Sequence, residues 1–148
     1  MTALKLNDFL PYRMSIASNA VSDAVATAYR NLFGLRIPEW RLVAVLAEGG
    51  AMSQQALCGR TRMDKVTVSR AAIGLVERGL IARAANPIDQ RSHLVALTPE
   101  GWQLYEQVAP KALELERRLF ASFSEEEKTQ LAAMLARIED AATAFDGG

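Results

Sequence analysis

The sequence predicts a mainly α-helical fold with one small β-hairpin, and three observations support this prediction. Apolar residues recur at helical spacing through the first and the last third of the chain. In the middle third, two short helices are predicted across a tight turn, and two short strands follow them directly. Half of the 148 residues are hydrophobic, so the chain can form one domain with a substantial core, or an elongated subunit that completes its core by association.

The first third is predicted to form two helices. Residues 6–33 have the apolar spacing of one long helix, with Pro11 near its start and Gly34 at its end. This helix is rich in alanine and weakly amphipathic, so we expect it to pack against another subunit as well as its own. A second helix is expected to begin at Ile37 and to stop at Gly49. Trp40, Val43, Ala44 and Ala47 are expected to form one face of this helix.

The middle of the chain is predicted to carry a helix-turn-helix unit. Ser53 can cap a short helix that continues to Cys58. A turn over residues 59–63 follows, and Asp64 can cap the second helix. The apolar stripe of this second helix comprises Val68, Ala72, Leu75 and Gly79. Its opposite side carries Val66, Arg70, Ile73 and Glu77.

Two short strands with a polar loop between them are predicted once Gly79 ends the second helix. The strands cover residues 80–85 and 93–98, and the loop over residues 86–92 is rich in turn-forming residues. A third, very short strand around residues 51–52 is expected to pair with the hairpin. A helix-turn-helix followed at once by a hairpin with a basic tip is a winged helix.

The last third is predicted to form two more helices. Thr98, Pro99 and Glu100 favour a helix start, because they supply a capping hydroxyl, a first-turn proline and an acidic residue suited to the helix dipole. Pro110 lies inside this helix and should kink it by removing one backbone hydrogen bond. A capping box over residues 124–127 indicates the start of the last helix.

The charges are unevenly distributed, although the formal net charge is zero. Residues 53–98 hold seven Lys or Arg and three Asp or Glu, a net charge of +4. Residues 1–52 carry +1 and residues 99–148 carry −5. The positive charge therefore coincides with the predicted winged helix, as binding to DNA requires; chance clustering is the alternative explanation.

Several classes of protein are disfavoured by what the sequence lacks. The single cysteine excludes an intramolecular disulfide and a metal site made of several thiolates. The N-terminus has no signal-peptide pattern, and no charge-free stretch approaches the roughly 18 residues of a membrane span. We therefore expect a soluble, cytoplasmic protein with no metal, no cofactor and no membrane partner. An enzyme is not expected, because no nucleophile–base set, phosphate loop or catalytic carboxylate pair is evident.

A set of spaced positions in the middle third carries a family resemblance. These positions are Arg70, Leu75, Gly79, Leu80, Ile81 and Arg83, followed by Asp89, Arg91, Leu97 and Thr98. In this order and spacing they resemble the signature of the MarR family of bacterial transcription regulators, and the flanking helices extend the resemblance over nearly the whole chain. The resemblance implies one subunit over residues 1–148, with a winged helix-turn-helix DNA-binding lobe at 36–98 and dimerisation helices at 1–35 and 99–148.

The predicted DNA site comprises Lys65, Thr67, Ser69, Arg70, Asp89 and Arg91. Arg70 is expected to contact a base, because a guanidinium can bond two acceptors of guanine at once. The short hydroxyls of Thr67 and Ser69 allow close approach to DNA, and Lys65 near the helix start suits a phosphate. The alternative for each is an ordinary solvated residue on a helix surface.

The tip of the wing supplies the other two predicted residues. The resemblance implies that Arg91 enters the minor groove. It also implies that Asp89, two positions earlier, braces this arginine. Asp89 itself is not expected to contact DNA, since a bare carboxylate repels phosphate.

A small-molecule site is a further prediction, and its residues are Tyr12, Arg13, Ser15, Trp40 and Arg41. The resemblance implies that an aromatic acid binds between the dimerisation helices and the DNA-binding lobe. An arginine would hold the carboxylate and an aromatic ring would stack on the ligand, although Tyr12 and Trp40 are equally suited to a plain core. Cys58 is expected to act as a small hydrophobe and His93 as a structural residue.

The predicted function is a sequence-specific, homodimeric DNA-binding repressor that a small ligand releases. The terminal helices carry more apolar surface than one subunit can hide, which favours an isologous dimer. Two recognition helices related by a two-fold axis would contact successive major grooves of a pseudo-palindromic operator in double-stranded DNA. The alternative is a winged-helix module that binds protein and has no effector ligand, which the +4 segment disfavours.

Overall fold

The computed structural model describes residues 2–145. Its helices are a 3-10 turn (Leu6–Asp8), α1 (Leu10–Phe33), α2 (Ile37–Gly49), α3 (Gln54–Thr61), α4 (Lys65–Glu77), α5 (Pro99–Leu119) and α6 (Glu125–Thr143). Its strands are β1 (Met52–Ser53), β2 (Ile81–Ala85) and β3 (His93–Leu97). The prediction of a mainly α-helical fold with a small β-wing is confirmed. The chain forms two compact units that divide between Pro110 and Lys111.

The core of the first unit is formed by the helices α2, α3 and α4 and by the sheet. Its most buried side chains include Leu42, Leu46, Leu57, Val68, Ala72, Leu75, Ile81 and Val95. Three of the four positions predicted for the apolar stripe of α4 are in this set, so the stripe is confirmed. The fourth, Gly79, lies beyond the helix end, where its φ of 72° is a conformation that favours glycine.

The sheet has three antiparallel strands in the order β1-β3-β2. β2 and β3 pair in register from Ile81 opposite Leu97 to Ala85 opposite His93. This register leaves residues 86–92 as the loop of the wing. β1 pairs with the middle of β3, so the predicted third strand is confirmed, one residue later than expected.

The predicted boundaries of two helices are wrong. The first helix is predicted from residue 6, but α1 begins at Leu10 after a separate 3-10 turn. Pro11 is the physical reason, because a proline ring inside a helix clashes with the carbonyl four residues earlier. The short helix predicted to end at Cys58 continues to Thr61 as α3, and the hydroxyl of Thr61 donates to the carbonyl of Leu57 at 2.6 Å.

The buried residues of α2 are not the same set as the face formed by Trp40, Val43, Ala44 and Ala47. Val43 of that face is fully buried, together with Leu42 and Leu46. Trp40 and the two alanines predicted for this face are only half-buried. Glu39, in the first turn of the same helix, is buried although it is charged, with 5% of its surface exposed.

Two glycines allow helices to approach neighbouring elements closely. A Cβ on Gly74 in α4 would lie 3.0 Å from Oε2 of Glu39. A glycine inside a helix is unfavourable by about 1 kcal/mol relative to alanine, and the close carboxylate explains why it stands here. A Cβ on Gly101, in the first turn of α5, would overlap the carbonyl oxygen of Leu80.

The second unit contains the end of α5 and α6. Ser124 Oγ accepts from the backbone N–H of Glu127 at 3.0 Å, and the Glu127 carboxylate accepts from that of Ser124 at 2.9 Å. The predicted capping box is therefore confirmed. None of the side chains of α6 is buried. Its exposed apolar residues include Met134, Leu135 and Ile138.

Within residues 2–145, none of the helices combines the length and the apolar character needed to cross a lipid bilayer.

Candidate functional site

The N-terminus of α4 is defined by its cap. Oδ1 of Asp64 accepts from the backbone N–H of Thr67 at 2.7 Å. Hydrogen bonds from the backbone and side chain of Thr67 are the main cause that lowers the pKa of the Asp64 carboxyl, and the nearby charge of Arg70 adds to the effect. The ionised carboxylate also faces the positive end of the helix dipole. The cap therefore determines where the first turn begins and which side chains it presents.

The packing of α4 determines which of its side chains face outward. Val68 and Leu75 are fully buried, so the opposite side of the helix is turned to solvent. The half-buried or exposed residues on that side and its flanks include Lys65, Thr67, Ser69 and Arg70. The turn between α3 and α4 passes through Arg62, whose φ of 57° ends α3.

Hydrogen bonds within the wing loop hold its backbone. Oδ1 of Asn86 accepts from the backbone N–H of Ile88 at 3.0 Å and from that of Asp89 at 3.4 Å. Nδ2 of Asn86 donates to Oγ of Ser92 at 3.1 Å. Oδ1 of Asp89 accepts from the backbone N–H of Arg91 at 3.0 Å. The contact of Asp89 with Arg91 is therefore made to the main chain, and the side chain of Arg91 stays exposed.

A cleft of about 1010 Å³ is lined by residues of α3, α4 and the wing. Of the six residues predicted to contact DNA or support a contact, Lys65, Ser69, Asp89 and Arg91 line it. Thr67 and Arg70 lie on α4 and are not part of this lining. The structure thus brings the first turns of α4 and the loop of the wing to one surface.

The charge of this cleft is mainly positive. Its ionised lining residues are three cations, Lys65, Arg83 and Arg91, and one carboxylate, Asp89. Guanidinium, ammonium, amide and hydroxyl groups are the side chains that donate hydrogen bonds to phosphate oxygens and base edges. The cleft is therefore chemically suited to an anionic, hydrogen-bonding polymer.

The sequence of this chain is similar to those of known transcription regulators. The sequence model of the MarR family matches residues 33–92. The transcriptional regulator PecS of Dickeya dadantii is 31% identical over 130 residues, which cover 86% of this chain and 76% of PecS. The homoprotocatechuate degradative operon repressor of Escherichia coli is 30% identical over 125 residues, covering 82% of this chain and 84% of that protein. The chain belongs to the MarR family.

A solved structure agrees with this assignment to the MarR family. The crystal structure of a MarR/EmrR family regulator from Acinetobacter sp. ADP1 is 28% identical and superposes with a TM-score of 0.86, covering 95% of this chain and 99% of that one. The protein is therefore a winged helix-turn-helix DNA-binding transcription regulator. The two relatives named above are a transcriptional regulator and an operon repressor. Among residues 2–145, no three His, Cys, Asp or Glu side chains are grouped so that they could hold a metal ion.

The residues predicted for a small-molecule site lie on two helices of this MarR-family chain. Tyr12, Arg13 and Ser15 are in the first turns of α1, where the Ser15 hydroxyl donates to the Pro11 carbonyl at 3.2 Å. Trp40 and Arg41 are in α2. Among the described residues, no hydrogen bond, ion pair or ring contact joins the first group to the second.

Trp40 is part of a cluster of aromatic rings in the first unit. Its ring centroid lies 5.5 Å from that of Tyr29 and 6.0 Å from that of Tyr105, on which it stacks at 16°. Trp102 meets Tyr105 edge to face at 6.0 Å. Burial raises the pKa of the Tyr29 phenol. The cluster links α1, α2 and α5 and leaves Trp40 half-buried.

Several residues that line the cleft are not among those that the sequence predicts to contact DNA. They include Gln54, Gln55, Arg83 and Asn86, together with Cys58 and His93, for which the sequence predicts structural roles. Arg83 was part of the family resemblance and carries a positive charge, so the +4 segment contained a signal for it. The two glutamines carried no comparable signal, because nothing in their spacing shows that the start of α3 faces the wing.

Proposed function

We propose that the protein is a homodimeric repressor that binds a pseudo-palindromic operator in double-stranded DNA. In this proposal Lys65, Thr67, Ser69 and Arg70 contact the major groove. Arg91 enters the minor groove, and Asp89 orients the wing. The observation that carries the proposal is the basic cleft in which the start of α4 and the wing share one surface. An α-helix fits the major groove of B-DNA, and an arginine suits the negative potential of a narrow minor groove.

The proposed dimer uses residues 1–35 and 99–148 as dimerisation helices and residues 36–98 as the DNA-binding lobe. Large apolar side chains are exposed on the terminal helices of the single chain, for example Leu10 and Ile16 on α1 and Met134 on α6. Large apolar side chains exposed on a helix are typical of an interface when they lie together on one face. An isologous contact would cover these side chains in both subunits at once. Analytical ultracentrifugation at micromolar concentration tests the dimer.

The decisive test is binding to the DNA upstream of the gene that encodes the protein, measured by fluorescence anisotropy. Arg91→Ala should weaken binding roughly tenfold to a hundredfold, because one groove contact of an arginine is removed. Arg30→Ala is the matched control, since it removes one exposed cation of α1 outside the cleft. Binding should also weaken steeply with salt as phosphate contacts release counterions. Equal binding by wild type and Arg91→Ala would favour the protein-binding alternative instead.

We further propose that a small aromatic acid releases the repressor from its operator. The half-buried ring of Trp40 offers a stacking surface, and Arg13 and Arg41 are exposed cations suited to a carboxylate. The E. coli relative represses an operon for the degradation of homoprotocatechuate, which is itself an aromatic acid. A ligand can act in this way only by binding the DNA-free arrangement of the subunits more tightly than the DNA-bound one.

A panel of aromatic carboxylates titrated into the protein–operator complex tests this second proposal. At least one should lower operator affinity. Arg13→Ala should then abolish the response while leaving binding to DNA intact. If none of the carboxylates changes operator affinity, the proposal that an aromatic acid releases the repressor is wrong.

A further inference from the structure

The C-terminal end of α4 is joined to the C-terminal end of α1 by one side chain. Arg78, the first residue after α4, donates from Nη1 to the carbonyl of Gly34 and from Nη2 to the carbonyl of Phe33, each at 3.2 Å. The last carbonyls of a helix have no partner within the helix. A guanidinium at this place also interacts favourably with the negative end of the helix dipole.

Close packing brings the start of α2 against the same part of α4. Both the backbone N–H and Nε of Arg36 donate to Oε1 of Glu39, at 2.9 and 3.4 Å. The other oxygen of this buried carboxylate lies against Gly74. Gly74 and Arg78 are four residues apart, so the two contacts lie about one helical turn from each other. The second half of α4 is therefore bonded to the end of α1 through Arg78 and packs closely against Glu39 of α2 through Gly74.

We infer that Arg78 is a positioning residue that fixes the angle between α4 and α1, and with it the placement of α4 in the major groove. The inference rests on the proposed function, in which α1 belongs to the dimer interface and α4 contacts the operator. Arg78 would then connect the interface to the recognition helix without touching DNA. When it is lost, each α4 keeps its DNA-contacting surface, but the separation of the two α4 helices in the dimer is no longer held.

The chemistry of this bridge requires arginine. A planar guanidinium presents parallel N–H groups and can bond two neighbouring carbonyls at once. A lysine in the same place keeps the charge at the helix end but offers a single ammonium group. Arg78→Lys therefore separates the geometric contribution of Arg78 from its charge, and Arg78→Ala removes both.

The test compares wild type with Arg78→Ala, Arg78→Lys and the control Arg30→Ala. Arg30 is an exposed cation in the last turn of α1 and is not one of the apolar side chains assigned to the dimer contact, so its removal takes one charge from the same helix end without breaking the bridge. Affinity is measured by fluorescence anisotropy for the operator, for operators with one base pair inserted or removed between the half-sites, and for unrelated DNA. Each measurement is repeated over a range of salt concentrations.

For Arg78→Ala we expect the ratio of specific to non-specific affinity to fall roughly tenfold, as the loss of two hydrogen bonds from a charged donor implies. The preference for the natural half-site spacing should shrink as well. Non-specific affinity and its salt dependence should stay as in wild type. Arg78→Lys should lie between wild type and Arg78→Ala, and Arg30→Ala should behave as wild type.

Two results would overturn the inference. An equal loss of affinity on all DNA, with the salt slope reduced by about one, would make Arg78 a phosphate contact. If Arg78→Ala keeps both the wild-type ratio of specific to non-specific affinity and the wild-type preference for half-site spacing, Arg78 does not position α4.

A second measurement needs no DNA and separates the inference from the proposed function. Hydrogen exchange should show reduced amide protection in residues 29–36 and 74–80 of Arg78→Ala, and not in Arg30→Ala. Unchanged amide protection in Arg78→Ala would show that Arg78 does not hold α4 to α1, whatever the result of the DNA-binding measurements. Wild-type protein that keeps the bridge but binds no DNA specifically would refute the proposed function instead.

Discussion

The contact between Gly74 and Glu39 leads to a prediction about the sign of a single substitution. Replacing a glycine inside a helix by alanine normally stabilises a protein by about 1 kcal/mol. At Gly74 the new Cβ would lie 3.0 Å from Oε2 of Glu39, so the carboxylate would have to retreat by a few tenths of an ångström. It is held from the other side, because its Oε1 accepts from the backbone N–H of Arg36 at 2.9 Å.

The magnitude follows from these two opposing terms. A hydrogen bond to a charged group contributes about 1.5–3 kcal/mol, and a buried carboxylate that loses one is not compensated by water. Subtracting the gain in helix propensity of about 1 kcal/mol, we expect Gly74→Ala to lower the free energy of unfolding by about 1 kcal/mol. In a Glu39→Ala background the obstruction is gone. There the same substitution should raise the free energy of unfolding by about 1 kcal/mol.

The assay is urea unfolding followed by circular dichroism at one fixed protein concentration, which keeps any association constant. Gly59→Ala is the matched control, because Gly59 also lies inside a helix and a Cβ there would meet nothing within 4 Å. It should stabilise the protein in either background. Stabilisation by Gly74→Ala in the presence of Glu39, or equal effects with and without Glu39, would refute the reasoning.

Three further predictions follow from the same structure. Gly101→Ala should lower the free energy of unfolding by about 2 kcal/mol or more, measured by urea unfolding, because its Cβ would overlap the carbonyl oxygen of Leu80. The pKa of the Asp64 carboxyl is lowered in the fold, so the stability that its ionised form gives the protein is present above the unfolded pKa and is lost as pH falls through the folded pKa. Asp64→Asn keeps a capping side chain but cannot be protonated in this way. Thermal melts should therefore show that this variant loses less stability in acid than wild type does. Asn86→Ala should lower operator affinity severalfold by anisotropy and have little further effect in an Arg91→Ala background, since it acts through the wing; additive losses would contradict this.

Local signals in the sequence predicted most helix starts. Ser53, Asp64 and Ser124 were expected to be caps, and the side chain of each accepts a hydrogen bond from a backbone N–H of its own helix. Capping depends on residues that are neighbours in the sequence, so one chain is enough to predict it. The buried stripe of α4 was predictable for a similar reason, since its apolar and polar sides differ clearly.

The buried face of α2 was not predictable by the same rule. The apolar residues of α2 include Ile37, Trp40, Leu42, Val43 and Val45, which are spread around most of the helix circumference. A hydrophobic pattern selects a face only when another face is polar. Only the position of the neighbouring elements then decides that Leu42 is fully buried while Trp40 stays half-exposed.

The contacts between distant parts of the chain were beyond sequence reasoning altogether. Gly74 meets Glu39, and Arg78 bonds the end of α1, across more than thirty intervening residues. No spacing rule links residues so far apart. The candidate site shows the same difference. Lys65 and Arg70 can be predicted because they lie on the outward face of one helix. The place of Gln54 in the lining of the cleft depends on how α3 packs beside the wing and cannot be predicted in that way.

The two parts of the proposed DNA surface are held by different interactions, and this has a consequence for mutagenesis. α4 is positioned by buried side chains such as Val68 and Leu75, which also contribute to the core. The wing is held by hydrogen bonds of Asn86 and Asp89 within its own exposed loop. Substitutions that loosen α4 should therefore lower the free energy of unfolding and the operator affinity together. Substitutions of Asn86 should lower the affinity alone, because the loop contributes little to the core that unfolding exposes.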